Sequence, residues 1–335
     1  MFSILVDDCE AYEALLVSPS EAFRSPPASR ASGRWRPFAL TPLSLDSQRY
    51  AVRTLRAAFD WLVKVRYLAG NPWVAVTDPK PVKRATKLQV QRALPIDVWS
   101  RVRAEFADRA EGFGPHGPDW RVARALVLLM GDAGLRIEEA VTAERGGLQW
   151  WPAEDEIPAT WMLRLVGKGN KERIVPLTED AVAALREHWQ DRGLDFDAPG
   201  ANADGVPLVA PTVVSPTPAG REKFGVTDTG QVTRVAGYMP RVARRVVTQA
   251  LGRLLERLPD LEESARRQLA ATSPHAFRHT FGTQSAAAGM PIEVLQQALG
   301  RGSLQTTTIY VNAEQQRMHQ ESAKYHVRLA ARRAK

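Results

Sequence analysis

The sequence predicts a mainly α-helical protein with a small antiparallel β-sheet, an α+β fold in two domains. Three observations carry that expectation. Most apolar residues recur at spacings of three and four. Only two short runs, close together, switch to strand-like composition. A basic, proline-bearing stretch, Asp78-Pro79-Lys80-Pro81-Val82-Lys83-Arg84-Ala85-Thr86-Lys87, interrupts the periodicity. Each proline there lacks an N–H and restricts the residue before it, which disfavours helix. The expected organisation is a helical domain over 1–78, a basic linker over 79–92 and a second domain over 93–335.

In the first domain, Asp8 to Leu16 is compatible with a helix and is followed by Ser-, Pro- and Arg-rich chain. From Ser44, the residues Tyr50, Val52, Leu55, Phe59, Leu62 and Val63 form a helical stripe. Ser44, Asp46 and Ser47 are all plausible N-caps, and Asn71-Pro72 stops the run soon after its end. The basic residues Arg49, Arg53, Arg56, Lys64 and Arg66 are expected to face solvent or a polyanion.

In the second domain, helical periodicity follows Ala93-Leu94-Pro95-Ile96-Asp97 and returns strongly from Trp120 to Met130. Gly131-Asp132-Ala133-Gly134 breaks it, and Leu135 to Ala140 starts another helix. Thr160–Val166 and Glu172–Leu177 read as strands, with Gly167-Lys168-Gly169-Asn170-Lys171 as the turn between them, a β-hairpin. Helices are then expected over Glu179–Arg192, Met239–Leu258, Leu261–Leu269, His275–Ala288 and Ile292–Leu299, with a last segment through Tyr310. The Gly-, Pro-, Ala- and Thr-rich stretch at about 197–229 reads as a long surface insertion.

Composition narrows the classes. The chain has 335 residues, 45 Lys and Arg against 37 Asp and Glu, and a net charge of +8, a balance that suits a polyanion partner without proving one. A single cysteine, Cys9, forms no internal disulfide and no Cys-based zinc site. The start of the chain has no basic segment followed by an apolar core, so it does not read as a signal peptide. The apolar run Ala125–Met130 is far shorter than the roughly 20 residues that span a bilayer. The expected setting is soluble, intracellular and reducing, with no membrane partner.

The chemistry-bearing residues are a cationic set plus a tyrosine. Arg136 opens a helix and Lys168 sits at the hairpin tip. His275 and Arg278 lie in Ser273-Pro274-His275-Ala276-Phe277-Arg278-His279-Thr280, and Leu299-Gly300-Arg301-Gly302-Ser303 precedes Tyr310. Each has an ordinary explanation alone: Arg136 can pair with Glu139 three residues on, and Lys168 can simply be solvated. His275 and His279 have a zinc-compatible spacing, but no glutamate follows the first histidine and no cysteine or carboxylate completes a set, so no metal is expected. Together the set suits phosphodiester chemistry. Two arginines can hold both non-bridging oxygens and stabilise the charge of a trigonal-bipyramidal transition state. A lysine can protonate a leaving 5′-oxygen, and a histidine can help deprotonate a tyrosine. Nearby cations help a phenol of pKa about 10 to ionise.

The order and spacing of these pieces resemble the tyrosine recombinase (phage integrase) superfamily. Gly134-Leu135-Arg136-Ile137-Glu138-Glu139 resembles its first arginine box, and Gly167 to Leu177 its lysine hairpin. Pro274 to Phe281 resembles its His-x-x-Arg box, and Leu299-Gly300 through Tyr310 its nucleophile box. The stretch from Ser44 to Pro72 is similar to its core-binding module.

The resemblance implies a core-binding, SAM-like DNA-binding domain followed by a DNA breaking-rejoining catalytic domain. It implies site-specific recombination through a covalent 3′-phosphotyrosyl intermediate, without metal, ATP or other cofactor. Tyr310 is the implied nucleophile, Arg136 and Arg278 the phosphate clamp, Lys168 the general acid and His275 an acid/base assistant. Glu139 would buttress the arginine. Arg301 stands where the family usually has histidine; it can keep a phosphate contact but is no neutral acid/base near neutral pH. Implied DNA-binding residues are Arg49, Arg53, Lys80, Lys83, Arg84, Lys87, Lys171 and Arg173.

The implied partner is double-stranded DNA at specific recombination sites, held by a homotetramer on synapsed duplexes, with accessory DNA-bending proteins allowed. The implied role is the integrase of a mobile element in a bacterial cytoplasm, at the nucleoid. A chromosome-dimer or plasmid resolvase has the same chemistry, and a non-catalytic DNA-binding relative is the rival of another class. A helix-turn-helix regulator leaves the lysine hairpin unexplained. The family's module has four helices before the linker, so the first domain is expected to be N-terminally incomplete.

Overall fold

A computed structural model describes residues 4–77, 93–112, 116–167, 172–198, 203–214, 217–224 and 236–300. The chain divides into two compact units between Ala85 and Thr86.

In the first unit, α1 (Val6–Val17) and α2 (Leu45–Lys64) pack with a 3-10 turn at Pro72–Val74. Of the three candidate caps, Ser44 is the one used: its hydroxyl accepts from the Ser47 N–H at 3.2 Å and satisfies one of the free donors of the first turn. Cys9, Leu16, Val52, Trp73 and Val76 form a small core. Arg56, expected at the surface, instead turns inward across α2. It donates to the carbonyls of Trp73 at 3.2 Å and Val76 at 2.7 Å. The physical reason is that the turn's carbonyls need donors where water is excluded.

The second unit is built on α3 (Ile96–Ala110) and α4 (Gly117–Gly131). Every residue of α4 from Val122 to Gly131 is buried, so this helix has no solvent face there and sits at the centre. It packs against α3, α5 (Ile137–Thr142), α6 (Glu179–Asp191), α8 (Pro240–Arg257) and α10 (Pro274–Ala287). The remaining helices are α7 (Pro218–Phe224), α9 (Glu263–Ala270) and α11 (Ile292–Leu299). Close approach at the end of α4 needs a glycine: a Cβ on Gly131 would stand 2.5 Å from the Trp99 ring.

The sheet has three antiparallel strands in the order β1 (Leu148–Trp151), β2 (Thr160–Val166) and β3 (Glu172–Pro176). The hairpin pairs Leu163 with Val175 and Leu165 with Arg173. β1, which periodicity did not single out, pairs Leu148 with Leu163. One sheet face turns Leu148, Leu163, Leu165 and Val175 into the core.

The stretch 197–229 is not simply a surface insertion. Leu208, Val209 and Ala210 are buried at 0%, 0% and 1% exposure. Leu208 donates its N–H to Ala143 O at 2.8 Å, and Trp189 Nε1 donates to Leu208 O at 3.0 Å. A three-residue apolar run can fill a gap beside α6 whatever the composition around it. Among the described residues, no helix is long and apolar enough to cross a membrane.

Candidate active site

The site begins with a helix too short to stand alone. α5 has six residues, well below the length at which an isolated helix persists. Glu139 at its third position accepts from the Arg136 backbone N–H at 2.8 Å, which closes the first turn as in a capping box. The same carboxylate accepts from Arg136 Nη1 at 2.7 Å. The Arg136 guanidinium is thus tied to its own helix start through Glu139.

Two distant elements complete the cluster. From β3, Arg173 reaches Glu139 with both terminal nitrogens, Nη1 to Oε1 at 2.9 Å and Nη2 to Oε2 at 2.6 Å. From α10, Arg278 Nη1 lies 3.8 Å from Glu139 Oε2. Arg278 also donates to the carbonyls of Gly134 and Leu299. Gly134 has φ +69°, and a Cβ there would stand 2.5 Å from the Phe281 ring. Only glycine combines that backbone with that contact.

One carboxylate therefore faces three guanidinium groups. Burial on its own would raise the Glu139 carboxyl. The hydrogen bonds from Arg173 and Arg136 outweigh it and hold the group at about 2. Glu139 is ionised throughout the physiological range.

A cleft of about 500 Å³ opens beside this cluster, lined by Arg136, Glu138, Arg244, His275 and Arg278 among others. His275 is exposed at the start of α10, and its ring meets buried His279 edge-on with centroids 4.6 Å apart. The Arg136 side chain is 31% exposed, whereas that of Arg278 is 1% exposed. A ligand entering the cleft meets Arg136 and His275 first. Such a wall can bind an anion and supply a proton donor or acceptor through imidazole.

The structure thus brings together Arg136, Glu139, His275 and Arg278. Lys168, Lys171, Arg301 and Tyr310 lie outside the described residues, as do the linker residues Lys80, Lys83, Arg84 and Lys87. Arg49 and Arg53 lie four apart on α2 of the first unit, Arg53 exposed and Arg49 half-buried.

Arg173 corrects the sequence reading. Expected as a DNA contact, it is 6% exposed and committed to Glu139 and to Ala298 O. The strand alternates exposed and buried residues from Glu172 to Pro176, so period two places Arg173 on the same inward face as Val175. That alternation was the available signal. Arg244, which lines the cleft and pairs with Glu138, carried no local signal; only the packing of α8 on α5 brings it there.

Residues 115–317 match the model of the phage integrase family. Tyrosine recombinase XerC of Bradyrhizobium diazoefficiens is 28% identical over 250 residues, covering 73% of this chain and 62% of that protein. Tyrosine recombinase XerD of Xanthomonas axonopodis pv. citri is 30% identical over 213 residues, 61% of this chain and 55% of its own length. The chain thus spans less of these relatives than their full length. Among solved structures, XerH site-specific recombinase bound to a palindromic difH substrate matches 85% of this chain and 68% of its own, with a TM-score of 0.51 and 17% identity. That likeness concerns the fold alone.

Proposed function

The chain belongs to the phage integrase family, and from that premise we propose that it is a tyrosine-type site-specific DNA recombinase. The observation that supports this reading most is the convergence of Arg136, His275 and Arg278 on one cleft, from helices far apart in sequence. Such a wall carries the cationic side chains that stabilising a scissile phosphate calls for.

In the proposed reaction the Tyr310 oxygen attacks phosphorus and forms a 3′-phosphotyrosyl bond. The bond to the 5′-oxygen breaks, and Lys168 delivers the proton that makes it a 5′-hydroxyl. Arg136 and Arg278 hold the non-bridging oxygens, and Arg301 adds a phosphate contact. His275 assists proton transfer near Tyr310. A 5′-hydroxyl from the partner strand reverses the step, so the phosphodiester energy is conserved. Side-chain cations carry the charge stabilisation without a metal or ATP.

The remaining assignments extend this reading. The first domain, 1–78, acts as the core-binding module, with Arg49 and Arg53 towards DNA. The linker 79–92 crosses the duplex backbone through Lys80, Lys83, Arg84 and Lys87, and Lys171 adds a contact from the hairpin. Two duplexes are held by a tetramer in the bacterial cytoplasm, and the role is integration and excision of a mobile element.

The test is a nicked suicide duplex cut from the DNA flanking the gene itself. The expected result is a covalent protein–DNA adduct that survives denaturant, is insensitive to EDTA and is abolished by Tyr310→Phe. Tight specific binding without an adduct would replace this reading with that of a non-cutting DNA-binding protein.

A further inference from the structure

Among the described residues of the cluster, Arg173 is the cation that the proposed chemistry leaves without a task. Its side chain is buried and, unlike that of Arg278, does not line the cleft beside the cluster. Its three nitrogens are all engaged, and by two different elements. The terminal pair grips both oxygens of Glu139 on α5, and Nε donates to Ala298 O at 2.9 Å in the last turn of α11. Room for this arrangement comes from Gly300, which ends α11 with φ +56°. A Cβ there would stand 3.1 Å from Arg173 Cδ and Nη1.

We infer that Arg173 is a positioning residue, which through Glu139 sets the Arg136 and Arg278 guanidinium groups at the cleft and seats the end of α11 beside them. The inference rests on the recombinase reading for its catalytic consequence, but the linkage itself does not. A burial-driven salt bridge would need only charge. This one uses the planar fork, with two N–H···O bonds to one carboxylate and a third bond to a carbonyl. Lysine offers one ammonium and cannot reproduce that set. Without the fork, Glu139 has Arg136 from its own helix and Arg278 from α10 as its facing cations. Glu144, Glu172, Asp204 and Arg164 line a separate cleft that also borders Glu139, three carboxylates against one guanidinium.

The experiment uses the full chain with Arg173→Lys, and Arg173→Met as a second variant, at a temperature where circular dichroism shows each folded. Two readouts separate positioning from simple bracing. The first is the carbon-13 NMR titration of the Glu139 carboxyl, expected to move up by about one unit or more in both variants. The second is single-turnover cleavage of the suicide duplex at saturating DNA. Arg173→Lys is expected to lower it about tenfold, with DNA affinity held within about threefold and the acid limb of the rate shifted upward. An unmoved Glu139 titration, or an unchanged rate in the folded variants, overturns the inference. If the unaltered protein forms no Tyr310-dependent adduct, the recombinase reading fails instead, and the titration alone decides whether Arg173 governs Glu139.

Discussion

Two buried arginines flank the same small sheet and solve the same problem differently. Arg173, in β3, meets a carboxylate with its whole fork. Arg145, just before β1, has no carboxylate in hydrogen-bond contact among the described residues. Its Nε donates to Phe196 O at 3.0 Å, and its guanidinium lies 4.8 Å from the Trp161 ring centroid and 5.0 Å from that of Phe196. Burial pushes Arg145 below the ordinary arginine range, partly offset by Asp197 and Asp204. Aromatic faces and a carbonyl can house a cation that only has to fill space. A carboxylate with two further cations attached makes the housing of one arginine depend on the others. The Arg145 arrangement is a brace; the Arg173 arrangement is a coupled device in which a change to one member acts on the others.

The sharpest way to break this contrast is to delete its hub. Glu139→Ala leaves Arg173 and Arg278 buried without their anion and should cost about 3–5 kcal/mol, read as a fall in the urea midpoint. Arg145→Met should cost less, about 1–3 kcal/mol, since it forfeits ring contacts and one carbonyl partner but strands no opposite charge. If the two losses prove equal, the distinction between brace and device fails.

The smallest effect is in the pH dependence. A carboxyl held at about 2 in the fold against an ordinary 4.5 contributes stability that is present above pH 4.5. That stability is lost as pH falls towards 2. The advantage of the unaltered protein over Glu139→Gln should therefore shrink by about 1 kcal/mol between pH 7 and pH 4. Arg145→Met should show no such convergence. His188, buried and pushed down to about 3 chiefly by burial, lowers stability as pH falls from 6.5 to 3 in every variant. It cancels when variants are compared.

Much of the site is legible in the amino-acid sequence, because its parts have local causes. Arg136 and Glu139 are three apart on one helix start, and His275 and Arg278 share the beginning of α10. The hairpin strands Thr160–Val166 and Glu172–Pro176 show in composition and turn residues. What stayed hidden depends on packing across the fold. β1 is four residues long with one buried side chain, so it has almost no alternation to read. The apolar run at Leu208 is masked by the glycine and proline around it. Arg56 and Arg173 have the residue type of a surface cation, and only the turn carbonyls and the inward strand face give them buried partners.

The double use of Glu139 has a consequence for the order in which the protein comes into being. The residue that closes the first turn of α5 is the one on which β3 and α10 converge, and α10 begins at Pro274. A nascent chain synthesised as far as α5 has the carboxylate and the first arginine, but neither of the partners that seat them. The cationic cleft is therefore absent until synthesis has passed Arg278 and that segment has left the ribosome. A fragment that ends earlier can still be basic but lacks the assembled cleft. One wall of the cleft arrives late in translation, so a truncated product can carry the basic charge of the chain without the assembled cationic cleft.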